Sequence, residues 1–284
     1  MPHPPVEIGE PIVSRDEMRE GLLEFARLYR HRPIRDNSGG MMIPHMYVLW
    51  LILRKVRPSV VIESGVFRGQ STWLIEQACP EAAVICFEPR IDQIVYTSSR
   101  ATYVRGDFLA YGKDLSASRA FAFFDDHQDA LPRIKHCKWI GIKEMMFDDN
   151  YPPGKGDCYS IKKIIFGSGF EPKRRISSFQ RNDLFTRVLR KAFRLAHYDP
   201  FAPIGDLPIE PNTDDWMLLK KNLDCYMEFP PIIKAEKTRW GEDWGYFTYA
   251  TPEPILSAAD HGQELSAYWE EAYAYTWPCY ARLK

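Results

Sequence analysis

The sequence predicts an α/β protein built on a doubly wound, mostly parallel sheet. Two observations carry that prediction. Five short runs rich in β-branched, aromatic and other apolar residues recur at 60–62, 83–87, 102–104, 120–124 and 144–147. Their apolar character is what strands buried on both faces require. Helix-compatible segments lie between them, near 71–78, 91–98, 112–118 and 130–137. Strand and helix in alternation build a parallel sheet with helices on both faces.

The flanking elements follow from local signals. Ser14-Arg15-Asp16-Glu17 is a capping box. The helix it opens carries Met18, Leu22, Phe25 and Leu28 at helical spacing and should stop near Pro33. A second helix is expected over 45–56, ending near Pro58. Residues 1–58 therefore form an N-terminal helical extension, and 59–284 carry the sheet. The stretch around 171–211, rich in Arg, Phe and Pro with little period-2 signal, is expected to be a late insertion of helix and loop. Closing strands are expected at 223–229 and 246–249, and a late helix over 257–275. No internal repeat is present.

Composition excludes several classes. The 284 residues suit one large domain and can bury a sizeable core. With 37 basic and 38 acidic residues the formal charge is -1, which argues against a protein devoted to gripping nucleic acid or anionic lipid. The six cysteines show no C-x-x-C spacing, so neither a zinc site nor a redox motif is indicated, and a reduced, cytoplasmic setting is expected. Residues 1–10 lack the apolar core of a signal peptide. The longest apolar stretch, 41–56, is interrupted by Pro44, His45, Arg54 and Lys55 and is too short to span a bilayer.

The chemistry concentrates at predicted strand ends. Glu63-x-Gly65-x-x-x-Gly69-Gln70-Ser71 joins the first strand to a helix. Glycine there serves close backbone approach and strand–helix packing. The pattern is not G-x-G-x-x-G, and an acid ending the strand would repel a pyrophosphate but suits a cationic amino-acid moiety. Glu88, 25 residues after Glu63 (88 − 63), ends the second strand, where an acid can accept both ribose hydroxyls. Asp107, in Arg105-Gly106-Asp107, follows the third strand and could accept from an adenine amino group; an Asp in a tight turn reads equally well.

This ordered set resembles the class I S-adenosylmethionine-dependent methyltransferases over 60–151, about a third of the chain. The resemblance implies a Rossmann-like methyltransferase sheet. It also implies that Glu63 lies near the methionine amino group, Glu88 at the ribose and Asp107 beside the adenine. Gly65, Gly69, Ser71 and Asp125 complete the cofactor set. Phe124-Asp125-Asp126-His127-Gln128-Asp129 and Phe147-Asp148-Asp149-Asn150 further resemble the metal-dependent, catechol-type O-methyltransferases, where an Asp-His and an Asp-Asn pair end strands four and five. Asp126, Asp149 and Asn150 would then form an all-oxygen site suited to Mg²⁺ or another divalent cation, holding two substrate hydroxyls and acidifying one. Strand-end acids also cap turns and helices, which is the plainer reading of Asp125 and Asp126. The lysine base of that family has no counterpart, because its place is taken by Asp129; His127 is the candidate base, with Asp129 beside it. The loop 152–157 could act as a lid, and Trp240 to Trp244 could present rings to a sugar or aryl group.

The expected function is methyl transfer from S-adenosylmethionine to a hydroxyl of a small molecule or sugar, with metal assistance. Nucleic-acid and membrane partners are not expected, and self-association is left open. A nicotinamide-dependent oxidoreductase and a catalytically silent binding member of the fold are the alternatives.

Overall fold

The computed structural model describes residues 7–167, 213–241, 243–244 and 251–284. The insertion expected around 171–211 and the strand expected at 246–249 lie outside the described residues.

The helices come first. α1 (Arg15–Glu20) starts at the expected capping box, with Ser14 accepting from the Glu17 amide and Glu17 reaching back to the Ser14 amide. The expected single helix divides at Gly21 into α1 and α2 (Leu22–Tyr29), and Gly21 packs where a side chain would meet the Tyr47 hydroxyl. α3 (Ile43–Val56) takes Pro44 into its first turn, where a missing N–H costs nothing. It stops at Arg57, which turns left-handed at φ 52°.

The sheet holds the strands β1 (Val60–Ser64), β2 (Ala83–Phe87), β3 (Ala101–Val104), β4 (Ala120–Phe124) and β5 (Glu144–Phe147). It is completed by β6 (Leu223–Glu228) and β7 (Cys279–Leu283). The order across its seven strands is β3-β2-β1-β4-β5-β7-β6. β1 to β5 are parallel, and β7 runs antiparallel between β5 and β6. The order reverses between β1 and β4, the switch point where open α/β sheets bind ligands at their carboxyl edge. This is the doubly wound, mostly parallel Rossmann-like sheet expected from the sequence. β7 was not anticipated. Its period-2 pattern is short and lies after a Pro, and it acquires meaning only from its two neighbours.

α4 (Gln70–Ala78) and α5 (Ala130–Trp139) follow β1 and β4; α6 (Ile161–Ile165) and α7 (Thr213–Asn222) lie further on. The segments expected as helices near 91–98 and 112–118 are mostly irregular, with one 3-10 turn at Ile91–Gln93. The late helix expected over 257–275 reduces to short turns around α8 (Ser266–Glu270).

Strand alternation divides the core between the two faces. Val61, Phe121, Phe123 and Met146 face α2, α3 and α4. Ile62, Ala122, Phe124 and Met145 face α5, α6 and α7. The N-terminal helices thus share one hydrophobic cluster with the sheet. All six cysteines are buried and free. No helix among the described residues is long and apolar enough to cross a membrane.

Candidate functional site

The carboxyl ends of β1, β2, β4 and β5 meet at the switch point. Glu63 is buried on β1, where Thr72 and Cys86 donate to its Oε2, the first at 2.7 Å and the second at 3.1 Å. Its Oε1 is buried and accepts no hydrogen bond. Burial pushes the Glu63 carboxyl above its ordinary value, more than the nearby Ser71, Thr72 and Cys86 side chains pull it down. Ser71 itself is buried in the first turn of α4.

The two glycines answer to the protein's own backbone. Gly65 adopts φ 91° and Gly69 φ 93°. A Cβ on Gly65 would collide with the Asp125 carbonyl, and one on Gly69 with the Tyr96 carbonyl. Gly65 therefore lets the turns after β1 and β4 close on each other, and Gly69 serves as N-cap of α4. Glu88 turns toward the same loop: its Oε2 accepts from the Val66 and Phe67 amides at 3.2 and 3.0 Å, and its Oε1 from the Arg90 amide at 2.9 Å. Oε2 is filled by its two amides, and Oε1 retains a second lone pair for a ligand.

Asp107 has partners within the chain. Arg133, 2% exposed, grips both its oxygens at 2.7 and 2.6 Å, and Asp107 also caps the turn at Leu109. The same guanidinium holds Asp126 Oδ2 at 3.0 Å, where Ser64 Oγ also donates at 2.6 Å. Asp126, expected as a metal ligand, has its Oδ2 on Arg133 and Ser64, while its Oδ1 accepts from the Gln128 amide at 3.2 Å. Asn150 is tied into the fold: its Nδ2 donates to the Tyr226 hydroxyl at 2.9 Å and its Oδ1 accepts from the Lys162 amide at 2.8 Å. Asp129, a candidate base, is the N-cap residue of α5 and accepts from the Tyr159 amide at 2.8 Å.

What converges instead is Asp125, His127 and Asp149. One ligand atom from each lies within 4.8 Å of the other two, the one such group among the described residues. His127 turns left-handed at φ 53°, which aims its ring at the end of β5. Its Nδ1 stands 3.0 Å from Asp149 Oδ2 and 3.1 Å from Asp157 Oδ1. Those two carboxylates, Asp149 first, push the imidazole up to about 12 against the cost of burial. A histidine so placed is a cation at neutral pH, so the general-base role expected of it does not follow. Burial drives Asp149 up, but His127 outweighs it and holds the carboxyl below its ordinary value. Burial, then the charges of Asp148 and Asp149, push Asp125 well above the usual carboxylate range.

A two-carboxylate, one-imidazole set fits a divalent cation. Asp149 Oδ2 now faces the His127 Nδ1 at 3.0 Å, so an ion entering this set would take the place of the proton that His127 holds there. The nitrogen donor shifts the preference from the all-oxygen Mg²⁺ set toward Mn²⁺, Fe²⁺ or Zn²⁺.

Three functional groups escaped sequence reasoning. Arg133 carries no motif that singles it out. Asp157 closes the loop 152–157 onto His127, where a free lid had been expected. His45, read as an interruption of an apolar helix, is buried with both Asp148 oxygens at 2.9 and 3.0 Å from its Nδ1. A histidine on the buried face of a helix was the available signal. Beyond Asp149, the buried Tyr151 packs against Trp240 at 5.8 Å between ring centres. The Arg239 guanidinium lies 5.9 Å over the Tyr151 ring.

No protein-family model matches the chain, and no curated protein matches it. Similar solved structures include an SAH-bound methyltransferase of Podospora anserina, 16% identical over 49% of this chain and 63% of its own, with a TM-score of 0.33. The chain spans less than two thirds of that protein. A putative O-methyltransferase of Klebsiella pneumoniae is 14% identical over 68% of this chain and 80% of its own, at a TM-score of 0.32. An O-methyltransferase of Bacillus cereus in complex with SAH is 13% identical over 66% and 82%, at 0.36. The fold assignment rests on the strand order and register described above.

Proposed function

We propose that the chain is an S-adenosylmethionine-dependent methyltransferase acting on a hydroxyl of a small molecule or sugar, assisted by a divalent cation. The observation that carries this reading is the joint placement of Glu63, Glu88 and the Asp125–His127–Asp149 group along one carboxyl edge, at the switch point of the sheet. Glu63 Oε1 lacks a partner and suits an ammonium group, and the lone pair left on Glu88 Oε1 suits a ribose hydroxyl. Gly65, Gly69 and Ser71 shape the turn between them, and Asp125 lies where the cofactor and acceptor would meet. A nicotinamide cofactor fits less well, because an acid ends β1 where a pyrophosphate would lie.

S-adenosylmethionine, when bound, supplies an electrophilic methyl carbon on a sulfonium. A divalent ion held by Asp125, His127 and Asp149 would supply the positive charge that acidifies a nearby hydroxyl. The chain's own part is to orient and to exclude water. Arg133 draws Asp107 and Asp126 together and so fixes the turn after β4. Asp157 ties the loop after β5 to His127. A cytoplasmic location and a small-molecule acceptor belong to the same reading.

Isothermal calorimetry with S-adenosylhomocysteine and, separately, with NADH tests the assignment. Saturable binding of the sulfur nucleoside, weakened in Glu88→Ala, is expected. Binding of NADH with neglect of S-adenosylhomocysteine would overturn it.

A further inference from the structure

Asp149 stands between two neighbours that are each held from a different face of the sheet. Asp148 is held by His45 of α3, which belongs to the α2–α4 face. Asn150 is held by Tyr226 and by the amide of Lys162, on the α5–α7 face. Tyr226 donates to Glu228 at 2.7 Å, and Glu228 ion-pairs with the buried Lys162, which closes that side. Thr276 joins the two sides. Its amide donates to His45 Nε2 at 3.2 Å, its hydroxyl to the Asp148 carbonyl at 2.8 Å, and its carbonyl accepts from the Asn150 amide at 3.1 Å.

This network fixes the histidine tautomer. A peptide N–H can only donate, so His45 Nε2 presents a bare lone pair to Thr276. The ring proton then sits on Nδ1 and points at Asp148. Both oxygens of Asp148 lie within reach of that one donor, so the carboxylate is held toward α3. The next residue, Asp149, is left to face His127.

We propose that His45 is a positioning residue for the Asp125–His127–Asp149 group: through Asp148 it sets where Asp149 presents its oxygens. The inference rests on the reading of that group as a cation site, but its geometry is testable apart from it. A donor at the Nδ1 position is what the role demands. Asparagine can place an amide there, glutamine places one near Nε2 instead, and leucine offers none.

The full-length variants His45→Asn, His45→Gln and His45→Leu are to be compared by calorimetry with Mn²⁺ alone and with S-adenosylhomocysteine, and by crystal structure. Expected is a loss of Mn²⁺ affinity of about 10-fold or more in the Gln and Leu variants, at the low end of the roughly 10–100-fold lost when a group bonded directly to a metal ligand is removed, because His45 acts one residue away through Asp148. The Asn variant should recover most of it, and sulfur-nucleoside affinity should hold in all three. Equal losses in Asn and Gln, or no loss in Gln and Leu, overturn the proposal. If Leu fails to fold, the Asn and Gln pair decides. If the wild type binds no Mn²⁺, the metal reading fails and the crystal structures decide. An Asp149–His127 separation still at 3.0 Å in the Gln variant then overturns the role of His45, and its loss there with retention in Asn upholds it.

Discussion

His127 Nδ1 lies 3.0 Å from Asp149 Oδ2 and 3.1 Å from Asp157 Oδ1, so one ring nitrogen serves two carboxylates. The arrangement makes the histidine part of a charge network before any ligand arrives. With the imidazole pushed up to about 12, it should show no titration between pH 6 and 9 in the free protein when followed by NMR. A midpoint near the ordinary histidine value of about 6.5 would contradict this.

The same elevation has a sign for stability. The folded value lies above the unfolded one, so the stabilisation is complete below about pH 6.5 and drains away as pH rises toward 12. His127→Gln should therefore lower Tm more at pH 6 than at pH 9.5. The ring is 47% exposed, so solvent screening keeps the effect modest. An equal loss at both pH values would show that the ion pairs contribute nothing.

Arg133 is expected to matter more to folding than to binding. It is 2% exposed and its removal leaves Asp126, 12% exposed, with a buried charge lacking its cation. Breaking such a pair costs about 3–5 kcal/mol. Chemical denaturation of Arg133→Met should show a loss in that range. Asp107, 49% exposed, should cost less when changed to Ala. If Asp107→Ala instead abolishes S-adenosylhomocysteine binding with stability intact, the adenine role implied by the resemblance is restored.

Gly65→Ala should be poorly tolerated. The left-handed backbone at φ 91° costs roughly 1–2 kcal/mol for a residue with a Cβ, before the collision with the Asp125 carbonyl. A lowered Tm together with weakened S-adenosylhomocysteine binding is expected from thermal melts and calorimetry. Wild-type values for both would mean that the β1 and β4 turns can separate freely.

The strands were legible because burial on both faces leaves an uninterrupted apolar run. Glu63 and Glu88 were legible because each follows such a run directly. The choice between Asp125 and Asp126 was not. Both follow Phe124, and the alternation that assigns faces stops with the strand. Long-range partners decide it: Arg133 and Ser64 take Asp126, and the left-handed turn at His127 leaves Asp125 beside Asp149. The partners of Asn150 were hidden for a related reason: an Asp-Asn pair suggests two oxygen ligands, and nothing local reveals that Tyr226, 76 residues on, accepts from its Nδ2 or that the Lys162 amide reaches its Oδ1. β7 escaped because a strand between β5 and β6 is defined by partners distant in sequence.

That ambiguity yields the last expected outcome. If Asp125 belongs to the cation site and Asp126 to the fold, their isosteric amides should separate the two roles. Asp125→Asn should weaken Mn²⁺ binding strongly, because a neutral amide replaces one of two carboxylates in the group. It should relieve repulsion from Asp148 and Asp149, so Tm should hold or rise. Asp126→Asn should do the reverse. Its ion pair with Arg133 weakens and Tm falls, while Mn²⁺ affinity stays near that of the wild type. Asp149→Asn should lose Mn²⁺ binding yet keep S-adenosylhomocysteine, if Glu63 and Glu88 at the ends of β1 and β2 hold the cofactor as proposed. Calorimetry and melting curves on the three variants read all of this. Should Asp126→Asn abolish Mn²⁺ binding while Asp125→Asn leaves it intact, the ligand set is the one expected from the sequence.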